Sequence, residues 1–219
     1  MNDLERLKRL RELYWREGMG ERYIDPPRPS PVVYHEKISE SLEELRQEVM
    51  ACHLCDLSKS RRHIVFGEGN PAARLMFIGE APGASEDEEG RPFCGRSGAM
   101  LTDMIRNVLR MQRSEVYITN ILKCRPPLNR TPTEEEAHLC RPWLFRQIEI
   151  IKPQLMLLLG ATALRYLFNE TLPVSKARGR IWDYRGIKVV VTYHPSYLLR
   201  NPSAKKETLQ DLLLLKSLL

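Results

Sequence analysis

The feature that most constrains the fold is a regular alternation of short apolar runs with helical patterns. Thr133, which three glutamates follow, suits the N-cap of one such helix. Continuous apolar strands separated by helices are typical of a mostly parallel sheet covered on both faces. The sequence therefore predicts an α/β fold, with strands at 74–79, 116–122, 154–159 and 188–193, an antiparallel pair at 180–187, and helices at about 41–51, 97–110, 134–151, 161–168 and 204–219.

Polar side chains stand where the predicted parallel strands end. Glu80, Asn120 and His194 lie at or just past three of these ends, and Gly160 follows the other one. In open α/β sheets, ligands bind outside the carboxyl ends of the strands. We therefore expect the functional site at this edge of the sheet.

Residues 1–38 differ from the rest of the chain and are predicted to form an N-terminal extension, with the main domain at 39–219. An amphipathic helix is expected at 3–17 and a proline-rich connector at 25–33. The helix either binds a partner or packs on its own domain. Residues 1–50 carry 9 basic and 11 acidic side chains, whereas residues 51–219 carry 25 and 17. The net charge of +8 on the main body favours a polyanionic partner such as nucleic acid.

The five cysteines indicate the compartment and a candidate metal site. An odd cysteine count, a highly charged N-terminus without a signal-peptide pattern, and no apolar run of 18 residues predict a cytoplasmic protein that does not enter a membrane. The spacing is Cys-x2-Cys, then 68 residues, then Cys-x15-Cys, formed by Cys52, Cys55, Cys124 and Cys140. Four thiolates suit zinc or an iron–sulfur cluster, and spacing does not choose between them. The alternative is a set of buried cysteines without a ligand. Cys94 is left over as a space-filling residue.

Three long motifs closely resemble family 4 uracil-DNA glycosylases. They are GEAPGASEDEEGRPFCGRSGAML at 79–101, ITNILKCRPPLNRTPTEEE at 118–136 and YHPSYLLRN at 193–201. The similarity runs from about residue 42 to the C-terminus. It implies a three-layer α/β/α sandwich with a central four-stranded, mostly parallel sheet, and a [4Fe–4S] cluster with a structural role, held by Cys52, Cys55, Cys124 and Cys140.

The resemblance also implies a reaction and assigns its residues. The enzyme would flip uracil out of DNA and hydrolyse its N-glycosidic bond, leaving an abasic site for base-excision repair. Glu80 would position or activate water, and His194, as a neutral imidazole, would donate to uracil O2. Phe93 would stack on uracil, and Asn120 offers a donor and an acceptor that match its O4 and N3–H. The remaining uracil-binding residues would be Glu86, near the place of a thymine methyl, and the backbone at Ala81 and Gly83.

The segment after His194 resembles the loop that grips DNA. Ser196 would contact a phosphate, Leu198 would enter the duplex as a wedge, and Arg200 would contact a phosphate or a groove. Two departures from the family are Ala81, where glycine is common, and Cys94, where valine is usual; the thiol is expected to make the pocket sensitive to thiol reagents.

Two rival functions stay open at this point. One is a nucleic-acid-binding iron–sulfur module without catalysis, and the other is a glycosylase with a broader choice of base, such as hypoxanthine or xanthine. No lysine stands where a Schiff-base nucleophile is expected, which predicts a monofunctional enzyme. We expect a monomer that acts on uracil-containing DNA, with a sliding clamp or repair protein as the candidate partner of the N-terminal extension.

Overall fold

A computed structural model describes residues 41–219. The predicted helix at 3–17 and the proline-rich connector at 25–33 lie outside the described residues. The division of the chain at residue 38 therefore stays a prediction. No helix in residues 41–219 is both long enough and apolar enough to span a membrane.

The centre of the fold is a six-stranded mixed sheet. Its strands are β1 (Glu68–Gly69), β2 (Leu75–Gly79), β3 (Tyr117–Asn120), β4 (Leu155–Leu159), β5 (Ile181–Tyr184) and β6 (Ile187–Thr192), in the spatial order β1-β3-β2-β4-β6-β5. The four inner strands are parallel, and β1 and β5 pair antiparallel at the two edges. Gly79 pairs with Asn120 and Leu159 with Thr192, so the carboxyl ends of the inner strands meet along one edge.

Helices connect these strands. They are α1 (Leu42–Met50), α2 (Ala84–Glu89), α3 (Arg96–Met104), α4 (Glu134–Ile151), α5 (Ala161–Phe168), α6 (Val174–Ala177), α7 (Pro195–Arg200) and α8 (Lys205–Lys216). The predicted cap of α4 is confirmed, because the Thr133 side chain accepts a hydrogen bond from the Glu136 N–H.

Alternate residues of the inner strands enter two separate cores. Met76 and Ile78 pack with residues of α1, α4 and α5, such as Leu45, Leu144 and Leu164, on one face. The other face holds Leu75, Phe77, Leu157, Leu101 of α3 and Leu212 of α8. Burial on both faces explains the continuous apolar runs, and it confirms the three-layer α/β/α sandwich.

Three details differ from the sequence prediction. The sheet has six strands rather than four, because β1 and β5 extend the parallel centre at both edges. Helix α3 changes to a π-helical turn at Ile105–Leu109. Helices α2 and α7 lie in segments for which the sequence predicted no helix, and both shape the site described next.

Candidate active site

A cavity of about 840 Å³ opens at the carboxyl edge of the inner strands. This volume lies in the usual range of ligand sites. Nine of the residues predicted for the site line it: Glu80, Ala81, Gly83, Glu86, Phe93, Asn120, His194, Ser196 and Arg200. The topology thus brings together side chains that are up to 120 positions apart in the sequence.

Asn120 ends strand β3 and presents an unsatisfied acceptor. The residue is 2% exposed, and its Oδ1 is one of three buried side-chain atoms in residues 41–219 that have no hydrogen-bond partner. A Cβ at Gly79, its partner on β2, would lie 2.4 Å from this Oδ1, so only glycine fits there. A buried acceptor without a donor costs about 1–3 kcal/mol, which a ligand that brings an N–H would recover.

Phe93 forms a strained apolar wall beside Asn120. It is 5% exposed and has a φ of 50°, a left-handed conformation that is unfavourable for a large side chain. Gly98 makes this possible, because a Cβ there would lie 1.8 Å from the Phe93 carbonyl oxygen. The centroid of the Phe93 ring lies 5.5 Å from that of His194. The backbone therefore holds a flat aromatic face in place before any ligand binds.

Glu80 is oriented by Thr162, a residue whose role the sequence did not predict. The Thr162 hydroxyl donates to Glu80 Oε2 at 2.5 Å, and both residues line the cavity. Thr162 lies in the first turn of α5, just past the carboxyl end of β4. Its position after a strand end was the signal in the sequence, but Thr162 and Glu80 are 82 positions apart, so no local pattern indicated the contact.

Glu86 braces the loops around the cavity from helix α2. Its two carboxylate oxygens accept from the N–H groups of Gly83 and Gly95, at 3.1 and 3.3 Å. It therefore fixes the backbone beside the cavity at Gly83 and Gly95. Cys94, beside Phe93, does not line the cavity, and burial raises the pKa of its thiol to about 11. The thiol stays protonated at neutral pH, which argues against the sensitivity to thiol reagents expected from the sequence.

His194 lies at the N-terminus of α7 as a neutral ring. Burial, aided by the positive charge of Arg200, lowers the pKa of His194 to about 4. Its Nδ1 accepts from the Ser196 N–H at 3.2 Å and lies 2.8 Å from the Ser196 hydroxyl. Because Nδ1 is an acceptor, the ring proton sits on Nε2, which is left to donate to a ligand.

The prediction that Leu198 is a wedge is wrong for this conformation. Leu198 is 0% exposed, because α7 turns it into the protein, whereas Tyr197 and Leu199 are 39% and 38% exposed. A fully buried side chain cannot enter a DNA duplex. Ser196 and Arg200, in contrast, line the cavity, and their contacts with DNA stay predictions.

The comparisons with known proteins agree with this geometry. The family model of the uracil DNA glycosylase superfamily matches residues 66–214, which include every residue of the cavity. The chain belongs to the uracil-DNA glycosylase superfamily. It is 44% identical to a type-4 uracil-DNA glycosylase of Sulfurisphaera tokodaii over 180 residues, which cover 78% of this chain and 82% of the relative. A type-4 enzyme of Thermotoga maritima is 47% identical over 166 residues, covering 75% and 86%.

Similarity to another branch of the superfamily is lower. A type-5 uracil-DNA glycosylase of Pyrobaculum aerophilum is 33% identical over 162 residues, which cover 66% of this chain and 71% of the relative. The resemblance to the type-4 branch that the three sequence motifs indicated is thus confirmed.

A second feature of this superfamily member is a small apolar cavity that all four predicted cysteine ligands line. As they stand, the described residues 41–219 contain no group of three or more His, Cys, Asp or Glu side chains that could hold a metal ion. Burial raises the pKa of the thiols of Cys55, Cys124 and Cys140, the last to about 12. The thiols therefore stay protonated at neutral pH unless a cation replaces the protons.

Hydrogen-bond donors reach two of the four sulfur atoms. Arg61 donates to Cys124 Sγ at 3.2 Å and to the Cys52 carbonyl oxygen at 2.7 Å, and the Lys123 N–H donates to Cys140 Sγ at 3.2 Å. Trp143 also lines this cavity, and its indole N–H is buried without an acceptor. The cysteine cavity thus combines thiols, apolar walls and one donor that lacks a partner.

Lys123 connects the cysteine cavity to the active-site cavity. Its side chain is buried, and burial lowers its pKa to about 7. The Nζ donates to Thr119 Oγ1, the Asn120 carbonyl oxygen and Gln147 Oε1, at 2.6–2.8 Å. One residue therefore bonds Cys140 through its backbone and supports Asn120 through its side chain.

Proposed function

We propose that the chain is a uracil-DNA glycosylase, which extrudes uracil from DNA and hydrolyses its N-glycosidic bond to leave an abasic site. The single observation that carries this function is the unpaired Oδ1 of Asn120, buried in the cavity beside the Phe93 ring. Uracil has an N3–H donor for this acceptor and a flat face for the ring. Cytosine lacks that N–H, so it would leave the acceptor unsatisfied.

The other cavity residues suit the charges that develop as the bond breaks. Loss of uracil leaves positive charge on the sugar and negative charge on the base. Glu80, oriented by Thr162, would offset the first and position the attacking water. His194 would donate its Nε2–H to uracil O2 and stabilise the second, without itself being charged.

A labelled oligonucleotide with one uracil tests this function. Alkaline treatment after incubation cleaves the strand at an abasic site. We expect cleavage with the wild-type protein and a loss of at least a hundredfold in rate for Asn120→Ala and for His194→Ala. Absence of cleavage with the wild type would refute the function, and binding without cleavage would favour the non-catalytic rival. Parallel substrates with hypoxanthine or xanthine test the broader-base rival.

We further propose that Cys52, Cys55, Cys124 and Cys140 hold a [4Fe–4S] cluster. The donor set fits, because four thiols share an apolar cavity and because cluster sulfur would accept from Arg61 and from the unpaired indole N–H of Trp143. A bound cluster would supply a structural cross-link between three parts of the chain: the loop at 52–55, the segment after β3 that contains Cys124, and helix α4, which contains Cys140. Lys123, which bonds both Cys140 and Asn120, would then link the position of Asn120 to the bound cluster.

The cofactor has its own test. Anaerobically purified protein should contain about four iron and four sulfide per chain and absorb visible light broadly, and Cys140→Ala should lose both. Zinc in place of iron would overturn the cluster while leaving the glycosylase assignment intact. We also expect a monofunctional monomer that acts on DNA in the cytoplasm. A clamp or repair partner for residues 1–38 stays a proposal.

A further inference from the structure

The loop between Pro126 and Arg130 displays an apolar side chain at the rim of the active-site cavity. Leu128 is 95% exposed, more than any other large apolar side chain in residues 41–219. Pro126 and Asn129, on either side of it, line the cavity. An apolar side chain this exposed at the mouth of a site is a candidate for contact with a ligand.

The loop holds Leu128 out in a fixed and strained conformation. Leu128 has a φ of 54°, a region that a large side chain rarely adopts. Arg125 donates to the Asn129 side chain at 2.8 Å, and Arg130 binds both carboxylate oxygens of Glu136 at 2.6 and 2.8 Å. Both ends of the loop are therefore anchored. Residues that the surrounding structure holds in a strained backbone conformation cluster at functional sites.

The other apolar side chains at the rim are less suited to enter a base stack. Leu198 is fully buried, and Tyr197 stacks on Tyr193, with ring centroids 5.0 Å apart and an interplanar angle of 15°. Leu199 is 38% exposed on the same short helix. Of these four side chains, only Leu128 is almost fully exposed to solvent.

We propose that Leu128 is an apolar wedge that contacts the base stack of duplex DNA next to the extruded nucleotide. The proposal rests on the proposed function, because it takes the extruded base to occupy the cavity that the loop borders. A side chain inserted between base steps offsets the lost stacking and holds the duplex open. A single strand has no opposite stack to hold open, so Leu128 matters there much less.

The test compares one oligonucleotide sequence with a single uracil as a duplex and as a single strand. Leu128→Ala and Leu128→Gly are expected to lower kcat/KM on the duplex at least tenfold and to change it less than twofold on the single strand. Leu213→Ala, which shortens a 51% exposed leucine on α8, should change neither. Leu128→Gly should also melt no lower than the wild type, because glycine adopts a positive φ freely, so lost activity would not reflect misfolding.

A binding measurement separates this proposal from the proposed function. The probe is a duplex with a 2′-fluorinated deoxyuridine, which resists hydrolysis, and 2-aminopurine immediately 3′ to it. Binding of the wild type or of Leu213→Ala should raise the 2-aminopurine fluorescence, because this base loses its stacking on the extruded nucleotide. Binding of Leu128→Ala should not raise it. If the wild type releases no uracil, the proposed function fails, and this fluorescence still decides the role of Leu128. An equal loss of activity on both substrates, no loss on either, or full fluorescence with Leu128→Ala would overturn the wedge.

Discussion

Thr162 offers the sharpest test of how the active site is built, because one hydroxyl orients the proposed catalytic carboxylate. Thr162→Val keeps the shape of the side chain and removes the 2.5 Å hydrogen bond to Glu80 Oε2. A hydrogen bond to a charged group contributes about 1.5–3 kcal/mol. If the reaction uses this orientation fully, the loss corresponds to a roughly tenfold to hundredfold lower rate. Glu80 is half-buried, and water can replace part of the bond, so we expect the lower half of that range.

The assay is uracil release under single-turnover conditions with saturating protein, together with the dissociation constant for uncleaved DNA. Thr162→Val should lower the rate constant and leave DNA binding unchanged, and Thr162→Ser should restore most of the rate. Thr208→Val is the matched control, because the Thr208 hydroxyl bonds the Ala204 carbonyl oxygen far from Glu80 in sequence. In a Glu80→Gln background, Thr162→Val should cost little more. A Thr162→Val rate within twofold of wild type, or a full additional loss in that background, would refute the reasoning.

Three further predictions concern the rest of the molecule. Gly79→Ala should abolish both uracil release and inhibition of the enzyme by free uracil, because the new Cβ would lie 2.4 Å from Asn120 Oδ1 and displace that side chain. Retained inhibition would contradict the assignment of Asn120 to uracil binding. The pKa of His194 is lowered to about 4, so His194 gains a proton only as the pH falls toward that value. The wild-type rate of uracil release should therefore not fall as the pH drops through 6.5 because of His194; a fall there that is absent in His194→Gln would contradict this. Arg61→Met removes a donor to Cys124 Sγ and should speed the loss of iron from the folded protein to a chelator severalfold. An unchanged rate of iron loss would show that Arg61 does not stabilise the cluster.

The parts of the fold that the sequence predicted correctly depend on local or repeating signals. The inner strands were visible as continuous apolar runs, and the site was visible in Asn120 and His194 at their ends. Helix α2 was not predicted, because the contacts that hold it are not local: Asp87 is 3% exposed and accepts from the Arg62 and His63 N–H groups. Such partners lie 24 or 25 positions away, and no local pattern reveals them.

Leu198 failed as a prediction for a related reason. The motif places a leucine after His194, but only the rotation of a six-residue helix decides which leucine is buried. The Thr162–Glu80 contact and the position of Leu128 also depend on how distant segments meet. Residue chemistry was therefore predictable from the sequence, and the direction of individual side chains was not.

The central claim is that Asn120 selects uracil over cytosine for hydrolysis, and mass-spectrometric detection of the released base tests it most directly. A duplex that contains uracil among the four normal bases should yield free uracil with the wild type and no free cytosine. Asn120→Ala should yield at least a hundredfold less uracil over the same time. Release of cytosine at a comparable rate, or undiminished uracil release by Asn120→Ala, would contradict the account.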